Sequence, residues 1–344
     1  MGRGHRPLGG RKWSRRAVSV PSVVIALGAL AVLSPLLVIV AGAADLVTGP
    51  RRRRHLRLLA MVGATLVIEV VGLLGSLALW LACGFGLGVR RPASQHRNFA
   101  LQSWWVGALM GAARRTLGLR VEVDPPEPTA AIGGTIVLAR HTSIGDALLP
   151  AYLFGTRLGL APRYTLKHDL VWDPCIDIVG HRLPHHFIDR EASDSAQLDA
   201  IRALSTGLDP RSVAVIFPEG TFFTPARRDR AVARLRAGDR HELAERAAGF
   251  RSLLPPRPAG TIALLDGAPD ADVVIMGHIG FERFSSLGRI YRNVPFRDPV
   301  RVWFHRLDRS DVPDDREARI TWLYDQWTAL DAEVTEHQAL PSPP

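Results

Sequence analysis

The sequence predicts an α/β fold with a mixed, largely parallel sheet flanked by helices, preceded by an N-terminal membrane helical hairpin. Three observations carry that prediction. From about residue 135 onward, short β-rich apolar runs alternate with helical patterns, which is how sheets covered on both faces are built. Two long apolar stretches come before them, separated by an arginine cluster, and each is long enough to cross a bilayer. The 344 residues suffice for one sizeable domain with such elements added. The divisions expected are a basic segment over 1–16, the hairpin over 17–97, the α/β domain over 98–338 and a tail over 339–344.

No charged residue occurs from Ala17 to Ala44. The Ala41-Gly42-Ala43 end resembles a signal-peptidase site, but the run is longer than a usual signal core and a second one follows, so it reads as retained. After Arg51–Arg54 and Arg57, the second stretch runs from Leu58 to Val89 and contains Glu69. Glu69 reads as a side chain packed on a partner helix or snorkelling, with a proton site as the alternative. Two full spans put the arginine cluster across the membrane from the N-terminus, against the positive-inside tendency. Pro35 and nearby glycines leave a re-entrant or interfacial hairpin open.

From Asn98 to Leu117, the spacing of Leu101, Trp105, Ala108, Leu109 and Ala112 predicts an amphipathic helix. Its tryptophans suit either a membrane surface or a core. The Pro-rich segment Pro125–Pro128 is a loop after which the α/β domain should start. Expected strands are Thr135–Arg140, Arg163–Lys167, His186–Ile188, Val213–Phe217, Asp272–Met276 and Val300–Phe304. Between them lie expected helices at Ala147–Phe154, Ser193–Leu204 and Arg227–Ala247. A final helix, Asp314 to about His337, places Ile320, Leu323, Tyr324, Trp327 and Val334 on one core-facing stripe.

The formal net charge is +10, and Lys12 and Lys167 are the only lysines, so nearly all the basic charge is arginine. Such a balance suits anionic lipid, phosphorylated substrates or nucleic acid. No zinc-finger spacing, aromatic RNA-binding pattern or basic zipper accompanies it, so no nucleic-acid partner is expected. Cys83 and Cys175, the only cysteines, cannot supply a disulfide framework or a cysteine zinc site. His181, His185 and His186 lack a carboxylate or cysteine at ligand spacing, and Pro184 breaks any helix there, so no metal is expected.

The chemistry concentrates in Thr135–Leu149, T-I-V-L-A-R-H-T-S-I-G-D-A-L-L. Five positions of continuous helix rotate about 140°, so His141 and Asp146 can meet only across a strand-to-helix turn. Thr142 and Ser143, both natural N-cap residues, provide for one. A histidine held by an aspartate is a general base for a hydroxyl. The same spacing recurs at His168–Asp173, without the small-residue turn.

Three further stretches follow. F-I-D-R, Phe187–Arg190, ends a strand on Asp189 and Arg190, and an arginine there can fork onto a phosphate. In F-P-E-G-T, Phe217–Thr221, Pro218 and Gly220 make a turn expected to expose Glu219 at the carboxyl end of the sheet. L-L-P-P-R-P-A-G, Leu253–Gly260, is a rigid basic loop carrying Arg257. Lys167, spared in an arginine-rich chain, hints that an ammonium is wanted at that position.

These four motifs, in this order behind an apolar hairpin, resemble the glycerolipid acyltransferase family that includes 1-acylglycerol-3-phosphate acyltransferases, a group of lysophospholipid acyltransferases. The likeness runs from about Trp104 to Trp327, and V-P-D-D-R-E-A-R-I-T-W-L resembles the tail of one branch. It implies that His141 deprotonates the acceptor hydroxyl and Asp146 supports the imidazolium. It implies that Arg190, Glu219 and Gly220 bind a glycerol phosphate, with Thr221 completing the turn and Arg257 in the fourth motif. The co-substrate would be acyl-CoA or acyl carrier protein, with no cofactor, and the product phosphatidic acid. No G-x-S-x-G surrounds any serine, which fits direct attack by the acceptor. Three positions depart from the pattern: Arg140 where Asn is frequent, Phe222 where Arg is common, and Leu330 where Lys is often found.

The expected setting is a membrane, the cell inner membrane with the catalytic domain facing the cytoplasm, with membrane lipids as partners. Two alternatives remain at this stage. One is the same chemistry on another lysophospholipid or amphipathic acceptor. The other is a non-catalytic membrane protein that binds anionic lipid through its arginine clusters.

Overall fold

The structure, a computed structural model, describes residues 8–124, 134–188 and 194–339. It divides into two compact units: residues 1–118 with 167–184, and residues 119–166 with 185–344. In chain order the helices are α1 (Leu8–Thr48), α2 (Arg54–Ala82), α3 (Pro92–Leu117), α4 (Leu148–Pro150), α5 (Pro174–Gly180) and α6 (Asp194–Ser205). They continue as α7 (Pro225–Ala237), α8 (His241–Ala248), α9 (Pro258–Gly267), α10 (Leu287–Asn293) and α11 (Arg316–Ala339). The strands are β1 (Val121–Val123), β2 (Ile136–Ala139), β3 (Ala161–Lys167), β4 (His186–Ile188), β5 (Ser212–Ile216), β6 (Val273–Ile279) and β7 (Val300–Leu307).

In the first unit, α1 continues through Pro21 and Pro35 as one helix of 41 residues, so the first apolar stretch does not fold back at Pro35. Lys12–Thr48 and Arg54–Ala82 are both long and apolar enough to cross a bilayer. Val32, Leu36 and Ile39 point outward, the face such a helix offers to lipid. The turn between the helices is held by Asp45, whose carboxylate accepts from the His55 and Leu56 amides at 3.0 and 3.1 Å and from His55 Nδ1 at 2.9 Å. Those amides have no partner within their own helix, so a buried carboxylate there satisfies the start of α2.

Glu69 is buried, and its Oε1 accepts from Trp105 Nε1 of α3 at 2.8 Å. Trp105 is therefore a packed residue, while Trp104 beside it is exposed. Asp177 of α5 takes Arg15 and Arg16 at 2.7 Å each and His181 at 3.0 Å. Burial opposes its charge, yet hydrogen bonds from His181, Arg16 and Arg15 hold its carboxyl well below the usual range. This unit takes in the whole of α3 and 167–184, whereas a division at 97/98 cuts through α3 and leaves 167–184 with the α/β domain.

The second unit is built on a seven-stranded sheet in the order β1-β7-β6-β2-β5-β3-β4. β2 runs parallel to both β5 and β6, β3 to β5, and β1 to β7, while β6 and β7 are antiparallel. β2 and β5 are buried along their whole length, as strands covered on both faces must be, which is why they read as continuous apolar runs. α6, α7, α8, α9 and α11 supply much of the core, and the predicted stripe from Ile320 to Val334 is buried throughout.

Three expectations are corrected. The sheet starts before the Pro-rich segment, because the three-residue edge strand β1 pairs with β7, Val121 opposite Val300; Pro125–Pro128 itself lies outside the described residues. The helix expected at Arg227–Ala247 is broken at Gly238–Arg240, where Asp239 adopts φ 57° and redirects the chain into α8. Ala147–Phe154 is not one α-helix. A 3-10 turn, Ile144–Ala147, leads into α4, and a π-helical stretch, Ala151–Arg157, follows Pro150, which has no amide to donate.

Candidate active site

β6, β2 and β5 are adjacent and parallel, so their carboxyl ends open on the same edge. Chain leaving β2 carries Arg140 and His141, chain leaving β5 carries Pro218–Thr221, and His278 stands near the end of β6. Ligands of parallel sheets gather at such an edge.

The His141 turn is assembled around Asp146. Its carboxylate accepts from the Thr142 amide, from the Ser143 amide at 2.7 Å, and from the Thr142 and Ser143 hydroxyls at 3.0 and 2.8 Å. One oxygen also lies 3.3 Å from His141 Nδ1. Both side chains are buried. Burial works against charge on Asp146, but the hydrogen bond to His141, the nearby His278 and the Thr142 amide together hold its carboxyl below the usual range. A carboxylate ionised in this place keeps a proton on Nδ1, which puts the imidazole lone pair on Nε2. Phe217 and Phe222 pack on the ring, with centroids 5.0 and 6.3 Å away.

Glu219 departs from the sequence expectation: it is 1% exposed rather than presented to solvent. Its two oxygens accept from the His141 amide and the Leu254 amide, at 2.8 Å each. Both donors come from chain distant in sequence, so one carboxylate ties the His141 turn, the Pro-Glu-Gly turn and the loop of the fourth motif together. Burial raises its carboxyl to about 8, against the downward pull of those amides and of Arg140. Gly220 has φ 67°, and a Cβ there would lie 3.3 Å from the Arg257 guanidinium, so the arginine rests on the glycine. The Arg257 amide donates to Pro218 O at 2.8 Å. Asp331 of α11 anchors the same loop by accepting from the amides of Arg251, Ser252 and Leu253 at 2.9, 2.7 and 2.8 Å.

Beneath the turn lies a buried polar layer that sequence reasoning missed. Arg140 is fully buried; it donates to His278 O, to Glu282 Oε1 at 2.7 Å and to Ser252 O at 3.4 Å. His278 Nε2 is 3.1 Å from Arg140 O and 4.0 Å from Asp146 Oδ2. Burial lowers the pKa of His278 and outweighs the opposing pull of the Asp146 charge. Arg140 alone carried a signal, as the departure from the family pattern next to His141. Nothing near His278 in sequence marks it.

Of the other expected residues, Thr221 and Arg257 line an open cavity of about 820 Å³ between the Pro-Glu-Gly turn, α7 and the fourth-motif loop. Lys167 is exposed at the end of β3 and belongs to the first unit. Asp189 and Arg190 lie outside the described residues. Asp173, the partner in the second His-Asp spacing, is the N-cap of α5 and accepts from the Ile176 amide at 2.9 Å. In the second unit His185 Nδ1 accepts from the Tyr164 amide at 3.3 Å, and in the first unit His181 stands beside Asp177.

Residues 120–258 match the family model described as Acyltransferase. The chain is 27% identical over 224 residues to 1-acyl-sn-glycerol-3-phosphate acyltransferase epsilon of Mus musculus, an alignment covering 60% of this chain and 59% of that protein. The crystal structure of the 1-acyl-sn-glycerophosphate acyltransferase from Thermotoga maritima matches with a TM-score of 0.49 at 15% identity, over 80% of this chain and all of that one.

Proposed function

We propose, from the premise that residues 120–258 form a domain of the acyltransferase family, that this chain is a membrane-associated enzyme of glycerolipid acylation. It moves a fatty acyl group from acyl-CoA, or from acyl carrier protein, to 1-acylglycerol-3-phosphate and so forms phosphatidic acid. The observation that carries the reading is the His141–Asp146 pair at the carboxyl end of β2, with the His141 amide locked by Glu219.

In this mechanism the acceptor hydroxyl donates to His141 Nε2 and loses its proton as its oxygen attacks the thioester carbonyl. Asp146 supports the resulting imidazolium. The tetrahedral intermediate collapses, the C–S bond breaks, and the thiolate takes the proton back from Nε2. Ester and thiol are the products, and no acyl-enzyme forms.

A phosphate-bearing acceptor needs cations near that hydroxyl. Phe222 replaces the arginine common at its position in the family, but the Arg227 guanidinium lies 4.1 Å from the Phe222 ring centroid and donates to Phe222 O at 3.0 Å. A guanidinium is thus supplied to the turn from α7. Two helices long and apolar enough to cross a bilayer support the membrane association, and the setting proposed with it is the inner membrane with the α/β domain on the cytoplasmic side.

The test is acyl transfer in detergent from labelled long-chain acyl-CoA to a panel of lysophospholipids. Phosphatidic acid as the principal product is expected. A preference for a lysophospholipid with a larger head group would transfer the chemistry to another acceptor, and no transfer to any acceptor from CoA or acyl carrier protein would remove it.

A further inference from the structure

The residue before His141 is held more fully than a connector requires. The Arg140 amide donates to Met276 O at 3.1 Å and its carbonyl oxygen lies 3.1 Å from His278 Nε2, so β6 grips the backbone on both sides. The guanidinium reaches on to His278 O, to Ser252 O in the fourth-motif loop and to Glu282 Oε1. Arg140 Nε is buried without a partner among the described residues. A shorter neutral side chain, such as the Asn frequent here in the family, would serve hydrogen bonding alone. A buried charge costs far more than a buried amide unless it is paired.

Glu282 supplies the pair. It stands on the 3-10 turn Phe281–Phe284 after β6, where Gly280 at φ 102° redirects the chain. Its Oε2 accepts from the Gly280 amide at 2.6 Å, and its Oε1 takes Arg140 at 2.7 Å and Gln338 of α11 at 3.2 Å. Burial works against its charge, yet Arg140 and then His278 hold its carboxyl below the usual range. The same turn rests on the His141 loop: a Cβ at Gly145 would meet the Phe281 ring at 3.1 Å, and Phe281 packs edge-on against His278 with centroids 5.8 Å apart. When His141 takes up a proton during transfer, a positive charge appears one residue from a buried guanidinium. Alone that guanidinium opposes it, and beside Glu282 its charge is cancelled.

We propose that Arg140 and Glu282 are a positioning pair for His141: the guanidinium fixes the turn against β6 and the fourth-motif loop, and the carboxylate cancels its charge where the imidazolium forms. The proposal rests on the acyl-transfer reading and adds to it two residues that act through His141.

The test is the pH dependence of kcat/KM for acyl transfer by the full detergent-solubilised chain, with the acceptor that wild type prefers among the lysophospholipids. The acid limb of that profile reports the essential base of the free enzyme. The charged and titratable groups around His141 are Asp146 in its own turn, Glu219 from the β5 turn, Arg227 behind Phe222, His278 from β6 and the pair itself. Glu282→Gln leaves the guanidinium uncompensated, which disfavours a proton on His141, and should move the limb down by about 0.5–1.5 pH units. Arg140→Met leaves the carboxylate and should move the limb up by a similar amount. The double variant Arg140→Met/Glu282→Gln, with no net charge added, should return it to the wild-type position. Both variants lacking Arg140 should also lose kcat roughly 10-fold or more with little change in KM, because the turn is loosened while the substrate contacts stay. A merely structural brace lowers the rate and leaves the limb in place. Limbs that stay in place, or that move the same way in both single variants, would overturn the proposal, as would an Arg140→Met that keeps the wild-type kcat. If circular dichroism shows Arg140→Met unfolded, Glu282→Gln and Glu282→Asp decide alone: the first should move the limb and the second, which keeps the charge, should not. Wild type that transfers no acyl group to any acceptor removes the acyl-transfer reading and the proposal with it, whereas active wild type with unmoved limbs in the variants removes the pair alone.

Discussion

Asp146 has two tasks, and substitution separates them. It accepts from the backbone of the turn and from the ring of His141. Asp146→Asn replaces one acceptor oxygen with an NH2 that faces donors, so both the turn and the ring orientation suffer. Steady-state kinetics should show kcat/KM lowered by roughly 10²–10⁴, the range for a positioned acid–base pair. Glu219→Gln likewise sets an NH2 against the His141 or Leu254 amide and should cost about 1–3 kcal/mol of stability. The carboxyl of Glu219 stands at about 8, above its ordinary 4.5. A proton held more tightly in the folded chain stabilises it at low pH, and that contribution fades as pH rises through about 8. Wild type should therefore lose stability relative to Glu219→Gln between about pH 5 and 8, as read from urea unfolding at several pH values. A gap that widens with pH would mean the carboxylate is held ionised. The His141–Asp146 pair was legible in the sequence because helix rotation allows only one geometry in which they meet. The burial of Glu219 was not legible: a Pro-Glu-Gly turn reads as exposed, and its two donors arrive from positions 141 and 254. His278 was hidden for the same reason.

Among the elements, the loop of the fourth motif depends on a helix far from it in sequence. Asp331 accepts three successive amides of residues 251–253. Asp331→Ala leaves the buried Ser252 and Leu253 amides without their acceptor and should cost about 2–4 kcal/mol in denaturant unfolding. A loss under about 0.5 kcal/mol would mean that water satisfies them. Gly220→Ala should cost about 1–2 kcal/mol for the left-handed backbone, and it should also push Arg257 from its seat. α11 was readable from its apolar stripe, and β2 and β5 from their continuous apolar runs. The break at Gly238–Arg240 was missed because the pattern around it continues at helical spacing. β1 was missed because three residues at a sheet edge, with one face exposed, carry too short a pattern to register.

For the whole molecule, two apolar helices, the first with outward-facing Val32, Leu36 and Ile39, predict a chain that stays with membranes through alkaline carbonate washing. Aspartates at those three positions, each costing about 2.5–3.5 kcal/mol at a bilayer centre, should shift it toward the supernatant; retention of the variant would place the membrane contact elsewhere. The order of the sheet brings three parallel strand ends together and thereby gives one histidine a carboxylate, a fixed backbone and a basic cavity beside it. Central to this account is the claim that His141 is the base of an acyl transfer. The most direct measurement is the rate of labelled acyl transfer to lysophosphatidic acid by wild type, His141→Ala and His168→Ala, with circular dichroism confirming that all three are folded. The account predicts that wild type and His168→Ala transfer at similar rates while His141→Ala falls by at least about 10². A folded His141→Ala that transfers at the wild-type rate would contradict it.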